Sequence, residues 1–210
     1  MRWSFLLLIL AAALLWGGGQ GVYSYSKNPE PRIMTCAEYF EQRPDDVWIE
    51  LSGCVMNLPE GMYSGPADHP SEIFVPIHPK DAPEGQKALI VLVSHEKKLL
   101  TLMAEMARLD RKGDEAEIEQ WSVKNADLLF GECEIRGMVK FGLELDDDER
   151  SQIGALSSIL LPEFVMLEQD AEPNLAFSLV MLSIGLLVLV GILVAFLRAR
   201  SGPARQSGTY

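Results

Sequence analysis

The stretch Leu175–Leu197, LAFSLVMLSIGLLVLVGILVAFL, holds 23 residues without a charge and is followed by Arg198 and Arg200. A helix rises about 1.5 Å per residue, so about 20 apolar residues suffice to cross the hydrocarbon core of a bilayer. Each leucine, isoleucine, valine or phenylalanine favours insertion by roughly 0.3 to 0.6 kcal/mol, which outweighs the small cost of the serines and glycines. A buried helix of a soluble protein would show a polar stripe, and this stretch has none. It therefore predicts a transmembrane helix over residues 175–197.

A second apolar segment opens the chain and allows two interpretations. The run Trp3–Trp16 has the length of a signal-peptide core, and extension through the glycines that follow to Val22 reaches membrane-spanning length. We favour an uncleaved anchor, because one positive charge precedes the run and no clean Ala-x-Ala cleavage site follows it. A signal peptide cleaved near Gly19 or Gly21 is the alternative. In both cases residues 1–26 send the following chain across the membrane.

Charge is concentrated between the two apolar segments. All 30 acidic residues and 14 of the 18 basic residues lie between Lys27 and Asn174, which gives this span a net charge of −16. Such a field repels phosphate backbones and anionic lipid headgroups, so it argues against nucleic-acid binding. We predict that residues 27–174 form one acidic, soluble domain.

The orientation of the chain follows from its arginines. Arg198, Arg200 and Arg205 place the C-terminal tail, residues 198–210, in the cytoplasm, and Arg2 favours the same side for the N-terminus. The domain between the helices is therefore predicted to be exoplasmic, which means periplasmic in a bacterium and lumenal or extracellular elsewhere. This order of segments resembles that of the Surfeit-type cytochrome oxidase assembly factors. The resemblance is one of topology, no motif of the sequence matches theirs, and no residue role follows from it.

Local patterns predict the elements of the acidic domain. Thr35 and Glu38 have the spacing of a capping box, in which each side chain accepts from the backbone N–H of the other, so a short helix should follow. Apolar alternation predicts strands over Val47–Met56 and Glu132–Leu143, and it places Leu51 and Cys54 on opposite sides of the first strand. Gly53 predicts a bulge or a close backbone approach in that strand. The further predicted elements are an edge strand Glu72–His78, a buried strand Ala88–Val93, an amphipathic helix His95–Lys112 and a last strand Phe164–Glu168.

These elements predict a membrane-anchored α+β fold with a small mixed or antiparallel sheet and flanking helices. Gly53 and Gly137 occupy matching places in two similar strands, and a glycine at a coiling point suits a sheet that curls. The sheet is therefore either a partly open, OB-like barrel or part of an α+β domain of unspecified topology.

The sequence contains no recognisable catalytic, cofactor-binding or metal-binding motif. His69, His78 and His95 lack metal-ligand spacing, and neither a GxSxG elbow nor a phosphate-binding glycine loop is present. The acidic run Asp146–Glu149 lacks the spaced oxygen ligands of an EF-hand. We therefore predict that the protein is not an enzyme and binds no cofactor or metal. A cluster of Cys54, His69 and His78 in one cleft would instead indicate a thiol enzyme.

The three cysteines, Cys36, Cys54 and Cys133, are too few for a disulfide framework, and none belongs to a CxxC motif. We interpret them as small buried hydrophobic residues. In an oxidising compartment, one disulfide and one free thiol is the alternative.

Two membrane segments, short linkers and the lack of catalytic motifs predict a domain that binds a protein partner, as an assembly factor, scaffold or accessory subunit of a membrane complex. Gly191 and Ala195 have the spacing that lets another membrane helix pack closely, and Met62 and Tyr63 are candidate partner contacts. The alternatives are a membrane-anchored sensor or small-ligand-binding module and, less favoured, a thiol or hydrolytic enzyme. A deep apolar pocket between Ala88–Val93 and the following helix would favour the sensor.

Overall fold

The computed structural model describes residues 2–27, 29–83, 85–140, 153–154 and 156–200. It divides into a helical unit and a barrel unit, and the barrel unit spans residues 30–172. The predicted polar turn at residues 146–150 and the tail residues 201–210 lie outside the described residues.

The barrel unit contains strands and short helices in alternation. The strands are β1 (Arg32–Thr35), β2 (Trp48–Met56), β3 (Met62–Ser64), β4 (Glu72–Pro79), β5 (Ala88–Ser94), β6 (Glu132–Lys140) and β7 (Leu160–Gln169). The helices whose bounds the structure describes are α1 (Arg2–Lys27), α2 (Cys36–Gln42), α3 (Lys97–Lys112), α4 (Glu115–Lys124), α5 (Ala126–Leu129) and α6 (Leu175–Arg200). A 3-10 turn, Leu58–Glu60, follows β2.

Five strands close into a β-barrel. The strand order in the sheet is β1-β2-β6-β7-β5-β4-β3, and a further pairing between β2 and β4 completes the ring. Strands β5 and β7 run parallel, whereas the other four pairs of the ring are antiparallel. β1 lies parallel beside β2, and β3 lies antiparallel beside β4, so both extend the sheet outside the ring. The predicted mixed α+β class is confirmed, and the barrel is closed rather than partly open.

Side chains fill the interior of the barrel. Alternate residues of β4 and β5, such as Val75 and Leu92, meet inward residues of β2, β6 and β7 in one buried cluster. α3 adds Leu99, Leu102 and Met103 to this interior cluster, because its apolar residues recur at three- and four-residue spacing. The helix therefore packs directly onto the strands of the barrel.

A second buried cluster lies on the opposite face of β4, β5 and β7. Phe74, Val91 and Met166 alternate along their strands with residues of the interior cluster, so they point outward from the barrel. Leu156, in the connection that leads into β7, and Leu160, the first residue of β7, pack against them. β5 is consequently buried on both faces, which its continuous apolar run predicts.

A bulge at Gly53 changes which side chains of β2 point inward. Gly53 has a φ of +64°, and the register of β2 against β6 shifts between Leu51 and Cys54. The predicted bulge is present. Strict alternation, however, placed Cys54 on the side opposite Leu51, and this assignment is wrong. The extra residue of the bulge turns Cys54 into the interior cluster beside Leu51.

Other local signals give the expected structure. In the capping box, Thr35 Oγ1 accepts from the Glu38 N–H at 3.2 Å, and the Glu38 carboxylate accepts from the Thr35 N–H at 2.7 Å. α3 ends at Gly113, whose φ of +70° is the left-handed conformation that glycine adopts without strain. β3 lies in Asn57–Pro70, where the density of proline, glycine, asparagine and aspartate predicts a loop, and β1 directly follows the proline-containing linker Asn28–Pro31, where no strand is predicted.

The helical unit consists of two long apolar helices. The spans Phe5–Lys27 and Leu175–Arg198 are each long and apolar enough to cross a membrane. α1 continues without interruption through its glycines to Lys27, so it has the longer of the two lengths that the sequence allows. By length and composition, both helices therefore fit a role as membrane anchors.

Candidate functional site

The two glycine-containing faces of α6 differ in what they contact. Gly191 and Ala195 are exposed, and a Cβ built on Gly191 would meet no described atom within 4 Å. Neither residue belongs to the contact between α6 and α1. Their predicted contact with a helix of another chain remains a prediction.

The contact between α1 and α6 uses other small residues. A Cβ on Gly18 would lie 2.7 Å from the Leu182 backbone nitrogen and 2.8 Å from the Ser178 carbonyl oxygen, and one on Gly185 would lie 3.0 Å from Leu15 Cγ. Later residues of α1 thus face earlier residues of α6, so the helices are antiparallel. Small residues allow this close approach in membrane helices. Sequence reasoning treated the glycines of α1 only as tolerated in a long apolar helix, although their clustering was the available signal.

Met62 and Tyr63 lie on β3, at one end of the strand order. They pair with Phe74 and Ile73 of β4, and both side chains are half-buried. Met62 packs against the outer cluster and Tyr63 against the interior cluster, so each contributes to the domain itself. Their role as partner contacts stays a prediction.

The residues of the thiol-enzyme hypothesis lie apart. Cys54 points into the interior cluster, whereas His78 alternates with the buried Ile77 on β4 and faces the other way. His69 is exposed in a loop. Among the described residues, no group of three or more His, Cys, Asp or Glu side chains could hold a metal ion. The arrangement therefore provides no cysteine–histidine pair in one cleft.

A groove lies beside the end of β4, and we name it the His78 groove. Its volume is about 450 Å³. Val55 and His78 are cross-strand partners on its floor, and the ion pair of Lys80 with Glu132 lies at the same end of the strands. The other lining residues are Asn57, Glu60, Pro79, Ala82, Pro83, Gly85, Gln86, Lys87, Ser158 and Ile159.

The His78 groove presents the charged side chains of Glu60, Lys80 and Lys87 together with the uncharged polar groups of His78 and Asn57. Burial lowers the pKa of His78, and the nearby carboxylate of Glu60 opposes this only partly, so the imidazole is neutral near pH 7. The side-chain oxygen of Asn57 is buried and has no hydrogen-bond partner among the described residues. A neutral imidazole and an unpaired amide oxygen can form hydrogen bonds with a small polar ligand.

A second, smaller groove of about 380 Å³ lies beside α2. Arg43 and Glu163 form an ion pair within its lining. Arg43 has a φ of +46°, the left-handed conformation of a helix C-cap. Burial, with help from the Asp46 and Asp45 carboxylates, raises the pKa of Tyr39 to about 12, so its hydroxyl stays protonated. The ion pair and the protonated phenol make this groove a structural junction between α2 and β7.

No protein-family model, curated protein or solved structure matches this chain.

The edge of the sheet at β1 is the remaining candidate site. β1 has β2 as its neighbour on one side and no neighbouring strand on the other among the described residues. Ile33, in the middle of β1, is 73% exposed, whereas Met34 next to it is buried. Val123 of α4 is equally exposed, at 74%, but lies on a helix. Sequence reasoning missed this edge because it predicted no strand there.

Proposed function

We propose that the chain is a two-helix membrane protein whose barrel unit binds a protein partner at the membrane, as an assembly factor, scaffold or accessory subunit. In this proposal α1 and α6 both cross the membrane. The barrel unit lies on the exoplasmic side, and the arginine-containing tail after α6 lies in the cytoplasm. Four residues connect α1 to β1 and five connect β7 to α6, so both ends of the barrel unit are held on short tethers.

The packed interior of the barrel supports action through the surface. The space that a ligand would occupy inside the ring is filled by side chains, and Leu102 and Met103 of α3 extend this packing. The apolar pocket that would favour a sensor, between β5 and α3, is thus occupied by the protein's own core.

We also propose that the barrel is an OB-fold. The ring strands in chain order are β2, β4, β5, β6 and β7, and if they are numbered 1 to 5 in this way, their order around the ring is 1-2-3-5-4. The fifth strand is parallel to the third, and α3 connects the third strand to the fourth along the chain. This path agrees with the five-stranded Greek-key barrel of OB-folds, which bind ligands on the face of their second and third strands. Here those strands are β4 and β5, and Leu156 and Leu160 cover Phe74 and Val91 on that face. Binding at another surface is therefore favoured.

The observation that carries the partner-binding proposal is the edge of the sheet at β1. An edge strand offers backbone donors and acceptors to an added strand, and proteins usually protect such edges. An exposed isoleucine at the centre of the edge adds apolar area for a partner to cover. Because only four residues connect α1 to β1, anchoring of α1 in the membrane would keep a partner bound at β1 near the membrane.

The test is affinity isolation of the full chain from membranes in mild detergent. We compare the wild-type chain with Ile33→Asp, and with Val123→Asp as a control of equal exposure. The proposal predicts a membrane protein in stoichiometric amount with the wild type and with Val123→Asp, and its loss with Ile33→Asp. A wild-type chain that elutes alone and monomeric would contradict partner binding, and retention of the partner by Ile33→Asp would move the site away from β1.

The second candidate function is a small-ligand-binding module, and the His78 groove favours it. The neutral imidazole of His78 and the unpaired oxygen of Asn57 would orient an uncharged polar molecule. A screen of small uncharged hydrogen-bonding solutes by thermal shift tests it, with His78→Phe as the blocked variant. A shift that His78→Phe abolishes would support this function, and a screen without a shift would contradict it.

A further inference from the structure

Three cysteines that are far apart in the sequence meet at the wall of the barrel. Cys36 begins α2, Cys54 lies on β2 and Cys133 lies on β6. Cys36 and Cys54 are fully buried members of the interior cluster, and the partly exposed Cys133 packs against it. All three are free thiols in this structure.

The fold brings the three residues together through two strand pairings and the bulge. β1 runs parallel to β2 with Thr35 opposite Ser52, so Cys36 follows directly beside the bulged segment of β2. The bulge at Gly53 turns Cys54 inward toward it. On the other side of β2, Cys54 is the register partner of Cys133.

The thiols of the cluster lie in different surroundings. Cys36 and Cys54 have no exposed surface and lie in the same interior cluster. The Cys133 thiol instead donates to the backbone carbonyl oxygen of Cys54, with 3.6 Å between sulfur and oxygen. Cys36 and Cys54 thus share the buried interior beside the bulge, while the Cys133 thiol is engaged with the backbone.

We propose that oxidation joins Cys36 and Cys54 in a disulfide and leaves Cys133 as a thiol. Two S–H bonds break and one S–S bond forms, and the two electrons and two protons pass to a disulfide of low molecular weight or of an oxidoreductase, which becomes two thiols. Formation of the bond in the cell rests on the proposed exoplasmic side, because disulfides persist in oxidising compartments.

The environment of the cluster makes this bond structural rather than exchange-active. The neighbouring Cys36 thiol and burial raise the pKa of Cys54, and burial raises the pKa of Cys133 to about 11. The thiolates of Cys54 and Cys133 are therefore scarce in the folded barrel near neutral pH, and their exchange with external thiols is slow. The bond ties α2 to β2. By closing the loop between residues 36 and 54, it should raise the thermal midpoint by roughly 10 °C.

The deciding experiment maps the bond in the full chain. Protein is isolated from membranes in detergent with iodoacetamide present, and a second sample is reduced, unfolded in urea and refolded with excess oxidised glutathione before alkylation. Peptide mass spectrometry should find Cys36 linked to Cys54 in both samples and Cys133 alkylated or joined to glutathione. A bond that includes Cys133, or three separate thiols in the refolded sample, would overturn the proposed pairing. The expected pairing in the refolded sample together with three thiols in the membrane sample would retain the pairing and contradict the exoplasmic side.

A second measurement separates the bond from the packing of the side chains. Cys36→Ser and Cys54→Ser should each remove the difference in thermal midpoint between oxidised and reduced protein. The matched variant Cys133→Ser should keep that difference. Loss of the difference in Cys133→Ser alone would overturn the assignment.

Discussion

Replacing Gly137 by alanine should open the barrel at the seam between β6 and β7. A Cβ at Gly137 would lie 2.1 Å from the carbonyl oxygen of Glu168 and 2.9 Å from its carbonyl carbon, whereas ordinary contact begins at 3.4 Å. The obstructing atoms belong to the backbone, so no change of rotamer can make room. The two strands must therefore separate by about 1.3 Å, the difference between 2.1 and 3.4 Å.

The expected loss of stability follows from this movement. The neighbouring hydrogen bond from the Asp170 nitrogen to the Arg136 oxygen is 2.8 Å long, and a movement of that size breaks it. Two ladder hydrogen bonds at about 1 kcal/mol each, with about 2 kcal/mol for overpacking, give a loss of about 4 kcal/mol. At about 3 °C per kcal/mol, the thermal midpoint of the barrel should fall by roughly 12 °C.

Gly53→Ala is the matched control, because it makes the same chemical change on another ring strand. A Cβ there would meet no described atom within 4 Å, and the cost is the strain of a φ of +64°, about 1 kcal/mol or roughly 3 °C. The assay is thermal unfolding of the full chain in detergent, followed by near-UV circular dichroism. Equal shifts for the two variants, or a shift below about 3 °C for Gly137→Ala, would refute the reasoning.

Two further predictions concern the helix pair and the His78 groove. Gly18→Ala should weaken the pairing of α1 with α6 by about 1 to 2 kcal/mol, because the new Cβ would lie 2.7 Å from the α6 backbone. Gly19→Ala is the control and should leave the pairing unchanged, because a Cβ there would meet nothing within 4 Å. Fluorescence energy transfer between labels on the two helices during titration with SDS measures this, and equal effects of the two variants would contradict the packing. Burial lowers the pKa of His78 below its ordinary 6.5, so the unfolded chain takes up a proton first and stability should decline as pH falls through 6.5. Urea titrations at several pH values measure this decline in the free energy of unfolding, which should be shallower for His78→Gln than for the wild type and for the exposed-loop control His69→Gln. The same dependence on pH for all three proteins would contradict the burial of His78.

Signals confined to a few neighbouring residues were sufficient to predict several elements of the fold. The capping box at Thr35 and Glu38 needs only a spacing of three residues, and α3 is specified by its apolar periodicity and Gly113. The bulge at Gly53 was predictable for the same reason, since glycine in a strand marks such a site. Alternation could not predict which β2 residues after Gly53 point inward, because one extra residue reverses the side on which every later residue of the strand lies.

Closure of the barrel depends on pairings between distant residues. The parallel pairing of β5 with β7 joins Ile90 to Val165, and the pairing of β2 with β4 joins Cys54 to Pro79. No local pattern encodes either register, so the sequence left the partly open barrel and an unspecified sheet as alternatives. β1 and β3, of four and three residues, are too short to show a periodicity at all.

The candidate sites were hidden for similar reasons. The His78 groove combines the end of β4 with Asn57, Glu60 and the residues before β7, and only the folded barrel brings these together. The cysteine cluster requires the β1–β2 and β2–β6 pairings together with the bulge. For the helix pair, the repeated glycines of α1 were a usable signal, but their partner Ser178 is more than 150 residues away.

The central claim is that the barrel unit binds a membrane-associated partner through β1. Photo-crosslinking in intact membranes tests it most directly. The crosslinker p-benzoylphenylalanine is introduced at Ile33, and at the equally exposed Val123 as the control, in the full chain. After irradiation, the account predicts one defined product at Ile33, whose intact mass and peptides identify a single membrane protein, and no such product at Val123. The absence of a product at Ile33, or the same set of products at both positions, would contradict it.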